Sequence, residues 1–110
     1  MSRAMIQRLL LAACLAFSFA ALAESGNAEA GHKKSTACQV CHGPAGISVS
    51  PAFPNLAGQN YDYIVASLHH YKNGKRKNPI MQGQVANLTE RDIEDVAAYF
   101  SSQRGLTTKY

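Results

Sequence analysis

The chain contains few cysteines and methionines, and it has no pattern typical of a β-sheet. Three cysteines and three methionines occur in 110 residues. The sequence has no internal repeat, no hairpin signal and no long alternation of apolar and polar residues. The formal net charge of +4 is not arranged as a dense basic face with aromatic platforms, so nucleic acid binding is not expected.

The first 23 residues have the layout of a secretory signal peptide. Arg3 and Arg8 precede an apolar run, 9–23, that is interrupted only by Ser18 and ends in Ala-Leu-Ala. The run is too short for a confident membrane span. We therefore expect cleavage after Ala23, export to the periplasm, and one mature domain, 24–110, without an integral membrane span.

Cys14 leaves a second interpretation of this segment open. The sequence Leu-Ala-Ala-Cys at 11–14 resembles a lipoprotein cleavage site. Arg8 leaves only residues 9–13 as the apolar stretch before Cys14, which is shorter than the usual signal of roughly 7–15 residues. The mass of the mature N-terminus distinguishes the two possibilities.

The mature part of the chain is predicted to be all-helical. We expect helices at His32–Cys41, Asn60–Tyr71 and Thr89–Gln103, with irregular segments at 43–58 and 75–88 that contain most of the glycine and proline. The small, polar residues 24–31 are not expected to form stable structure. The last helix is the strongest prediction, because Thr89 and Asp92 have the spacing of a capping box and an apolar stripe follows them.

The segment Cys38-Gln39-Val40-Cys41-His42 carries the chemistry. The spacing C-x-x-C-H is the attachment signature of c-type haem. On a helical turn, residues three and four apart lie on one face, so both cysteines can form thioethers with one edge of the macrocycle. His42 then projects its imidazole toward the iron. We expect one haem c, bonded through Cys38 and Cys41.

Other interpretations of the two cysteines are weaker. A thioredoxin-like redox pair would require a βαβ pattern, which the sequence lacks. A tetrahedral zinc site would need a fourth ligand, and the adjacent positions of Cys41 and His42 are awkward for one ion. A structural disulfide is possible, but it gives His42 no role.

Met81 is the expected second axial ligand of the iron. Met1 and Met5 would leave with the signal peptide, so Met81 would be the only methionine of the mature chain. Met/His ligation is the arrangement of cytochromes c. A structural role for Met81 as a core residue is the alternative, because methionine often fills gaps. His69 and His70 are competing ligands, although both are expected at the rim.

Together these residues resemble class I cytochrome c, in its short bacterial periplasmic branch. The resemblance rests on the haem motif, on the segment Pro-Asn-Leu-Ala-Gly at 54–58, on Met81 and on the last helix. It implies a small all-α fold, with about three to four helices wrapped around one covalently bound haem. It also implies that the Pro54 carbonyl accepts the proton of the non-ligating His42 nitrogen, and that Leu56 packs on the haem.

The resemblance implies an electron carrier and not an enzyme, with the iron cycling between its ferrous and ferric states. The alternatives are a cytochrome subunit of one periplasmic dehydrogenase, or a haem peroxidase or gas-binding protein with an open sixth position. The expected partners are redox proteins, namely membrane electron-transport complexes and periplasmic reductases, oxidases or dehydrogenases. We expect a monomer.

Two further sets of residues are assigned from their positions. The first comprises the apolar residues expected to enclose the haem: Leu56, Ile64, Val65, Leu68, Ile80, Val85, Leu88, Ile93, Val96 and Phe100. The second comprises basic residues that could form a docking rim for acidic partners: Lys33, Lys34, Lys72, Lys75, Arg76 and Lys77.

Overall fold

The structure is a computed structural model that describes residue 3 and residues 26–105. The predicted signal peptide, except Arg3, and the last residues of the chain lie outside the described residues. Residues 26–105 contain helices and no β-strand, which confirms the all-helical prediction. The helices are α1 (Ala28–Lys34), α2 (Thr36–His42), α3 (Tyr61–Lys72), α4 (Pro79–Val85) and α5 (Glu90–Ser102). None of them is long and apolar enough to cross a bilayer.

Five helices are present in residues 26–105 where three to four were expected. One reason is that the predicted helix His32–Cys41 is two helices joined at Ser35. The Ser35 hydroxyl donates to the His32 carbonyl at 3.0 Å, and the Ser35 backbone departs from helical angles, with ψ at 12°. Serine often interrupts helices in this way, because its side chain competes for backbone groups. The first of the two helices already begins at Ala28, so the prediction of unstable structure for 24–31 was wrong from that residue on.

The other reason is α4, which lies inside the segment 75–88 that was predicted to be irregular. Asn78 is its N-cap, and the side-chain oxygen of Asn78 accepts a hydrogen bond from the Met81 N–H at 3.1 Å. Pro79 occupies the first helical position, where a missing N–H costs nothing. The asparagine and proline therefore start a helix here instead of preventing one.

Helices α3 and α5 agree with the sequence-based prediction to within one residue at each end. The capping box at the start of α5 is present as expected. The Thr89 hydroxyl accepts from the Asp92 N–H at 3.1 Å, and the Asp92 carboxylate accepts from the Thr89 N–H at 3.0 Å. These bonds satisfy donors that a helix N-terminus otherwise leaves without partners.

Helices α1 and α5 pack closely against each other. Gly31 makes this possible, because a Cβ atom at that position would lie 1.9 Å from the Asp95 carbonyl oxygen. The Asp95 carboxylate accepts hydrogen bonds from the Asn27 N–H at 2.8 Å and from the Lys34 ammonium at 2.7 Å. The two donors stand at the two ends of α1, so one buried carboxylate fixes the whole helix against α5.

The core lies between α3, α4 and α5. Six of the ten residues expected to enclose the haem are buried: Ile64, Leu68, Val85, Ile93, Val96 and Phe100. Leu56, Val65 and Leu88 are half-buried and pack against this core. Ile80 is the exception, since 61% of it is exposed. Its position in the first turn of α4 places it at the border of the cleft described below.

Candidate functional site

Helix α2 presents Cys38 and Cys41 to a cleft in the protein. Both side chains line this cleft, both are half-buried, and both thiols are free. Val40, between them, points outward and is 84% exposed. The helical spacing predicted from the motif therefore places the two sulfur atoms on one side of α2, next to the same space.

The chemistry of these cysteines does not match the alternative sites. Burial raises the pKa of the Cys38 thiol, whereas reactive redox cysteines have a lowered thiol pKa. Among the residues that the structure describes, no group of three or more Cys, His, Asp or Glu side chains could hold a metal ion. A zinc site and a thiol redox centre are therefore both disfavoured.

His42 ends α2 and is buried, with 7% of its surface exposed. Its Nδ1 atom lies 2.8 Å from the carbonyl oxygen of Pro54. A carbonyl can only accept, so Nδ1 carries the proton and Nε2 keeps its lone pair. No buried side-chain nitrogen or oxygen within residues 26–105 lacks a partner. Nε2 makes no hydrogen bond there and is therefore not fully buried, and His42 is one of the residues that line the cleft.

Met81 lies in the first turns of α4 and lines the same cleft. It is half-buried and packs against the core. The Asn78 side chain caps the helix by accepting a hydrogen bond from the Met81 N–H, and this bond holds the Met81 backbone beside the cleft. Sequence reasoning found the residue but placed it in a loop instead of a helix.

The other three histidines do not line the cleft. His32 is exposed and stacks on the Tyr99 ring, with ring centroids 4.8 Å apart. His69 lies 3.0 Å from the Glu90 carboxylate. His70 lies next to it in α3 and is half-buried. All four histidines of the chain fall within the described residues, so His42 is the only imidazole available to a ligand in this space.

The cleft has a volume of about 310 Å³, which lies in the range of small-molecule sites. All six residues singled out from the sequence line it, so the structure brings them together. Its other lining residues are mostly apolar or neutral: Ala37, Ala52, Phe53, Asn55, Gln59, Tyr63, Ile64, Ser67, Leu68, Tyr71, Arg76, Asn78, Ile80, Gln84, Val96 and Phe100. Sequence reasoning missed the polar members of this set, and it assigned Arg76 to an outer docking rim.

This donor set fits a covalently bound haem. Two thiols three residues apart can bond to the two vinyl groups on one macrocycle edge, and an imidazole with a fixed proton and a thioether are the ligand pair of cytochromes c. The mostly uncharged walls suit a large apolar ring. The carbonyl partner of His42 is the kind of contact that orients a ligating imidazole.

Comparisons with known proteins agree with this fit. Residues 28–104 match the family model described as Cytochrome c. The chain is 41% identical over 100 residues to cytochrome c4 of Pseudomonas aeruginosa, covering 90% of this chain and 50% of that protein. It is 40% identical over 82 residues to cytochrome c-554(548) of Halomonas halodenitrificans, covering 72% of this chain and 99% of the relative.

A solved structure shows the same fold. Reduced recombinant cytochrome c4 from Pseudomonas stutzeri superposes with a TM-score of 0.71 at 43% identity, over 74% of this chain and 48% of that one. The chain thus spans about half the length of the cytochrome c4 relatives that it matches. The chain belongs to the cytochrome c family, whose members carry covalently attached haem c, and Cys38 and Cys41 occupy the cysteine positions of its C-x-x-C-H motif.

Proposed function

We propose that the chain is a periplasmic electron-transfer protein in which His42 and Met81 are the axial ligands of one haem c. It is a carrier and not an enzyme. When bound, haem supplies a one-electron couple between ferrous and ferric iron. The observation that supports the proposal most strongly is that His42 and Met81 line the same cleft as Cys38 and Cys41.

The role of His42 is to present one ring nitrogen to the iron in a fixed direction. Its Nδ1–H donates to the Pro54 carbonyl, so the ring cannot turn without losing this hydrogen bond. The same bond increases the basicity of Nε2, which strengthens it as a ligand. Pro54 therefore acts through its backbone, as the family resemblance implies.

The role of Met81 and of the apolar walls of the cleft is to keep other molecules away from the iron. Leu56 and the buried Phe100 line the cleft beside these groups, so apolar side chains would shield a bound haem from water on that side. A dry site disfavours the more highly charged ferric state and raises the reduction potential. With His42 and Met81 as its two protein ligands, the iron would have no position open for a peroxide or a gas. This favours an electron carrier over a haem peroxidase or a gas-binding protein.

The surface around the cysteines suits a weak contact with a redox partner. Residues 37–61 contain no Lys, Arg, Asp or Glu. The Ser48 hydroxyl donates to the Cys41 carbonyl at 3.3 Å, which ties the segment that precedes Val49 to the end of α2. Val40 is 84% exposed and Val49 is fully exposed, so two apolar side chains stand in solvent beside the attachment helix. Transient electron-transfer contacts are small and need only a limited patch of this kind.

The basic residues contribute less to docking than their number suggests. Lys34 is held by Asp92 and Asp95 at 3.0 and 2.7 Å, and Lys72 donates to the Leu88 carbonyl. Lys75 and Lys77 remain exposed in the loop after α3. We propose that these two lysines steer a partner that carries carboxylates, and that the partner is a membrane electron-transport complex or a periplasmic reductase, oxidase or dehydrogenase. A nucleic acid does not fit this surface, and we expect a monomer.

The same apolar patch also supports a second candidate, a cytochrome subunit bound to one periplasmic dehydrogenase. A permanent subunit would co-purify with its enzyme, whereas a free carrier would elute alone. Size-exclusion chromatography of the natural protein from its own periplasm separates the two. A Val40→Ser variant that releases a co-purifying dehydrogenase would favour the subunit.

The central experiment is maturation in a host with cytochrome-assembly machinery. We expect a coloured periplasmic protein whose mass, by intact mass spectrometry, exceeds that of the chain from Glu24 by one haem. Cys38→Ala and Cys41→Ala variants should lose one thioether each, while a His70→Ala control stays unchanged. A colourless wild-type protein would overturn the proposal. The same mass spectrum tests export, because a mature chain that begins with lipid-modified Cys14 would replace the predicted signal peptide 1–23 by a lipoprotein signal.

A further inference from the structure

The Pro54 carbonyl that accepts the His42 proton lies in an exposed part of the loop 43–58. Both Pro54 and Asn55 are exposed, so water can reach this region and compete for the carbonyl oxygen. The oxygen belongs to the peptide unit that joins Pro54 to Asn55, and a peptide unit is planar and rigid. The direction of the carbonyl therefore depends on how Asn55 is held.

Asn55 is held by Ser48, on the opposite arm of the loop. The side-chain oxygen of Asn55 accepts a hydrogen bond from the Ser48 N–H at 2.7 Å, although the two residues are seven positions apart in the chain. The backbone groups that follow are bonded as well. The carbonyl of the buried Gly46 accepts from the N–H groups of Leu56 at 2.7 Å and Ala57 at 3.0 Å. The two arms of the loop are therefore joined directly after the carbonyl that binds the imidazole.

The Ser48 hydroxyl connects the first arm of the loop to helix α2. Its oxygen accepts from the Ser50 N–H at 3.1 Å, and its proton is directed to the carbonyls of Ser50 at 2.9 Å and Cys41 at 3.3 Å. Cys41 immediately precedes His42 in α2. Ser48 therefore bonds through its hydroxyl to the helix that carries the imidazole, and through its N–H to the segment that carries the carbonyl.

The loop acts on the His42 ring without the help of charged groups. Residues 37–61 contain no Lys, Arg, Asp or Glu, so no ionised side chain of the loop competes with the bond between His42 and Pro54. Phe53, which precedes Pro54, lies edge-on to the His42 ring with the ring centroids 6.4 Å apart. A shift of residues 53–54 would thus displace both groups that the loop places against the imidazole.

We propose that Ser48 and Asn55 form a clasp that positions the Pro54 carbonyl against His42 and thereby sets the reduction potential of the haem. The inference rests on the proposed function, since it requires His42 to ligate the iron. Both are positioning residues, because the imidazole bonds to Pro54 and not to them. A hydrogen-bonded Nδ1–H makes the imidazole a stronger electron donor, and a stronger donor favours the more highly charged ferric iron. The clasp therefore lowers the potential, and loosening it should raise the potential.

The test compares the holoprotein variants Ser48→Ala, Asn55→Ala and Ser50→Ala. Ser50→Ala is the matched control, because it removes from the same loop a hydroxyl that accepts from the Ala52 N–H at 3.2 Å and keeps the backbone bonds of Ser50. We expect the His42 Nδ1–H signal in the NMR spectrum of the ferrous protein to exchange with solvent about two- to tenfold faster in Ser48→Ala and Asn55→Ala, the effect of losing one hydrogen bond. The reduction potential should rise in both variants and keep its wild-type value in Ser50→Ala.

Two further variants show whether the clasp acts as a unit through its hydrogen bonds. If Ser48 and Asn55 hold one carbonyl together, either substitution releases it, and Ser48→Ala/Asn55→Ala should exchange about as fast as the faster single variant. Asn55→Asp keeps an acceptor oxygen for the Ser48 N–H, so the exchange of the His42 Nδ1–H should stay slow. Effects that multiply in the double variant would mean that the two residues act independently and would contradict the clasp.

A coloured Ser48→Ala or Asn55→Ala protein with the wild-type exchange rate or the wild-type potential would overturn the inference and leave the proposed function intact. Equal changes in Ser50→Ala would also overturn it, because they would show a general loosening of the loop. A colourless wild-type protein would instead reject the proposed function. Should one of the two variants fail to mature, the other supplies the same readouts, since each removes one half of the clasp.

Discussion

The pair of helices α1 and α5 and the cleft between α2, α3 and α4 are built in opposite ways. The α1–α5 pair is complete as folded: Gly31 lets the backbones approach, and the buried Asp95 carboxylate has a partner at each end of α1. Cys38, Cys41 and Met81 line the cleft and are each half-buried, beside walls that are mostly apolar or neutral. The first region is held by contacts within the chain, whereas the second suits packing against a bound haem.

Removal of the attachment cysteines should have the largest effect, because it affects the region that depends on the cofactor. We expect Cys38→Ser/Cys41→Ser to lose about 5 kcal/mol or more of the free energy of unfolding, which is most of the stability of a small domain. Urea denaturation followed by far-UV circular dichroism measures this. Ser48→Ala, which keeps both thiols, should cost about 1 kcal/mol. A double variant with a wild-type transition would show that the cleft does not need the haem.

The next largest effect on the free energy of unfolding is expected in the α1–α5 pair. Gly31→Ala places a methyl group against the Asp95 carbonyl and should separate α1 from α5, lowering the free energy of unfolding by about 3 kcal/mol. Gly83→Ala is the matched control. It adds the same methyl group to α4, where no atom outside the adjoining helix backbone lies within 4 Å, and should stabilise the protein by about 0.5–1 kcal/mol. Equal effects of the two substitutions would contradict the close approach of the helices.

A comparison of the predicted and observed helices shows how much of the fold the sequence could predict. Helices α3 and α5 were predicted well because an apolar stripe and a local cap determine them. The part of α1 before His32 was missed, since the contacts of α1 with Asp95 join residues more than 60 positions apart in the chain. Helix α4 was missed because Asn78 and Pro79 occur both in loops and at helix starts, and only the cap geometry distinguishes these.

The candidate site shows the same division. Cys38, Cys41 and His42 form a local motif, so their arrangement follows from helix geometry. Met81 was identifiable because the predicted mature chain has no other methionine. The position of Arg76 depends on the Tyr71 ring and on Ser67, five and nine residues earlier, so sequence reasoning grouped it with the neighbouring lysines.

A smaller effect is expected from the charge that joins α1 to α5. Burial acts to raise the pKa of the Asp95 carboxyl, but hydrogen bonds from the Asn27 N–H and Lys34, with the charges of Lys34 and Arg91, hold that pKa below its ordinary value. The folded state therefore favours the ionised form. This stabilisation is present above the unfolded pKa of about 3.9 and is lost as pH falls through the lower folded pKa.

Asp95→Asn should lower the free energy of unfolding by about 1–3 kcal/mol at pH 7, and the difference from wild type should shrink below pH 4. Urea midpoints at both pH values measure it. Glu94→Gln is the control, because Glu94 pairs with Arg91 at the surface at 3.3 Å and should change stability by less than about 1 kcal/mol. A difference for Asp95→Asn that grows toward low pH would contradict the assignment.

The smallest effect is expected at the surface. Lys75→Gln/Lys77→Gln should slow electron transfer to an acidic redox partner a few-fold at low salt, because steering depends on long-range charge. Stopped-flow rates for wild type and variant should converge as ionic strength increases. A Lys33→Gln variant tests whether the effect belongs to this loop. A wild-type rate that does not depend on salt would remove the steering role.

Carbon monoxide binding by the reduced holoprotein at neutral pH tests the central claim most directly. If His42 and Met81 occupy both axial positions, the wild-type absorption spectrum should stay unchanged on addition of the gas, and Met81→Ala should bind it rapidly. Rapid binding by the wild-type protein would show that the sixth position is open and would contradict the account.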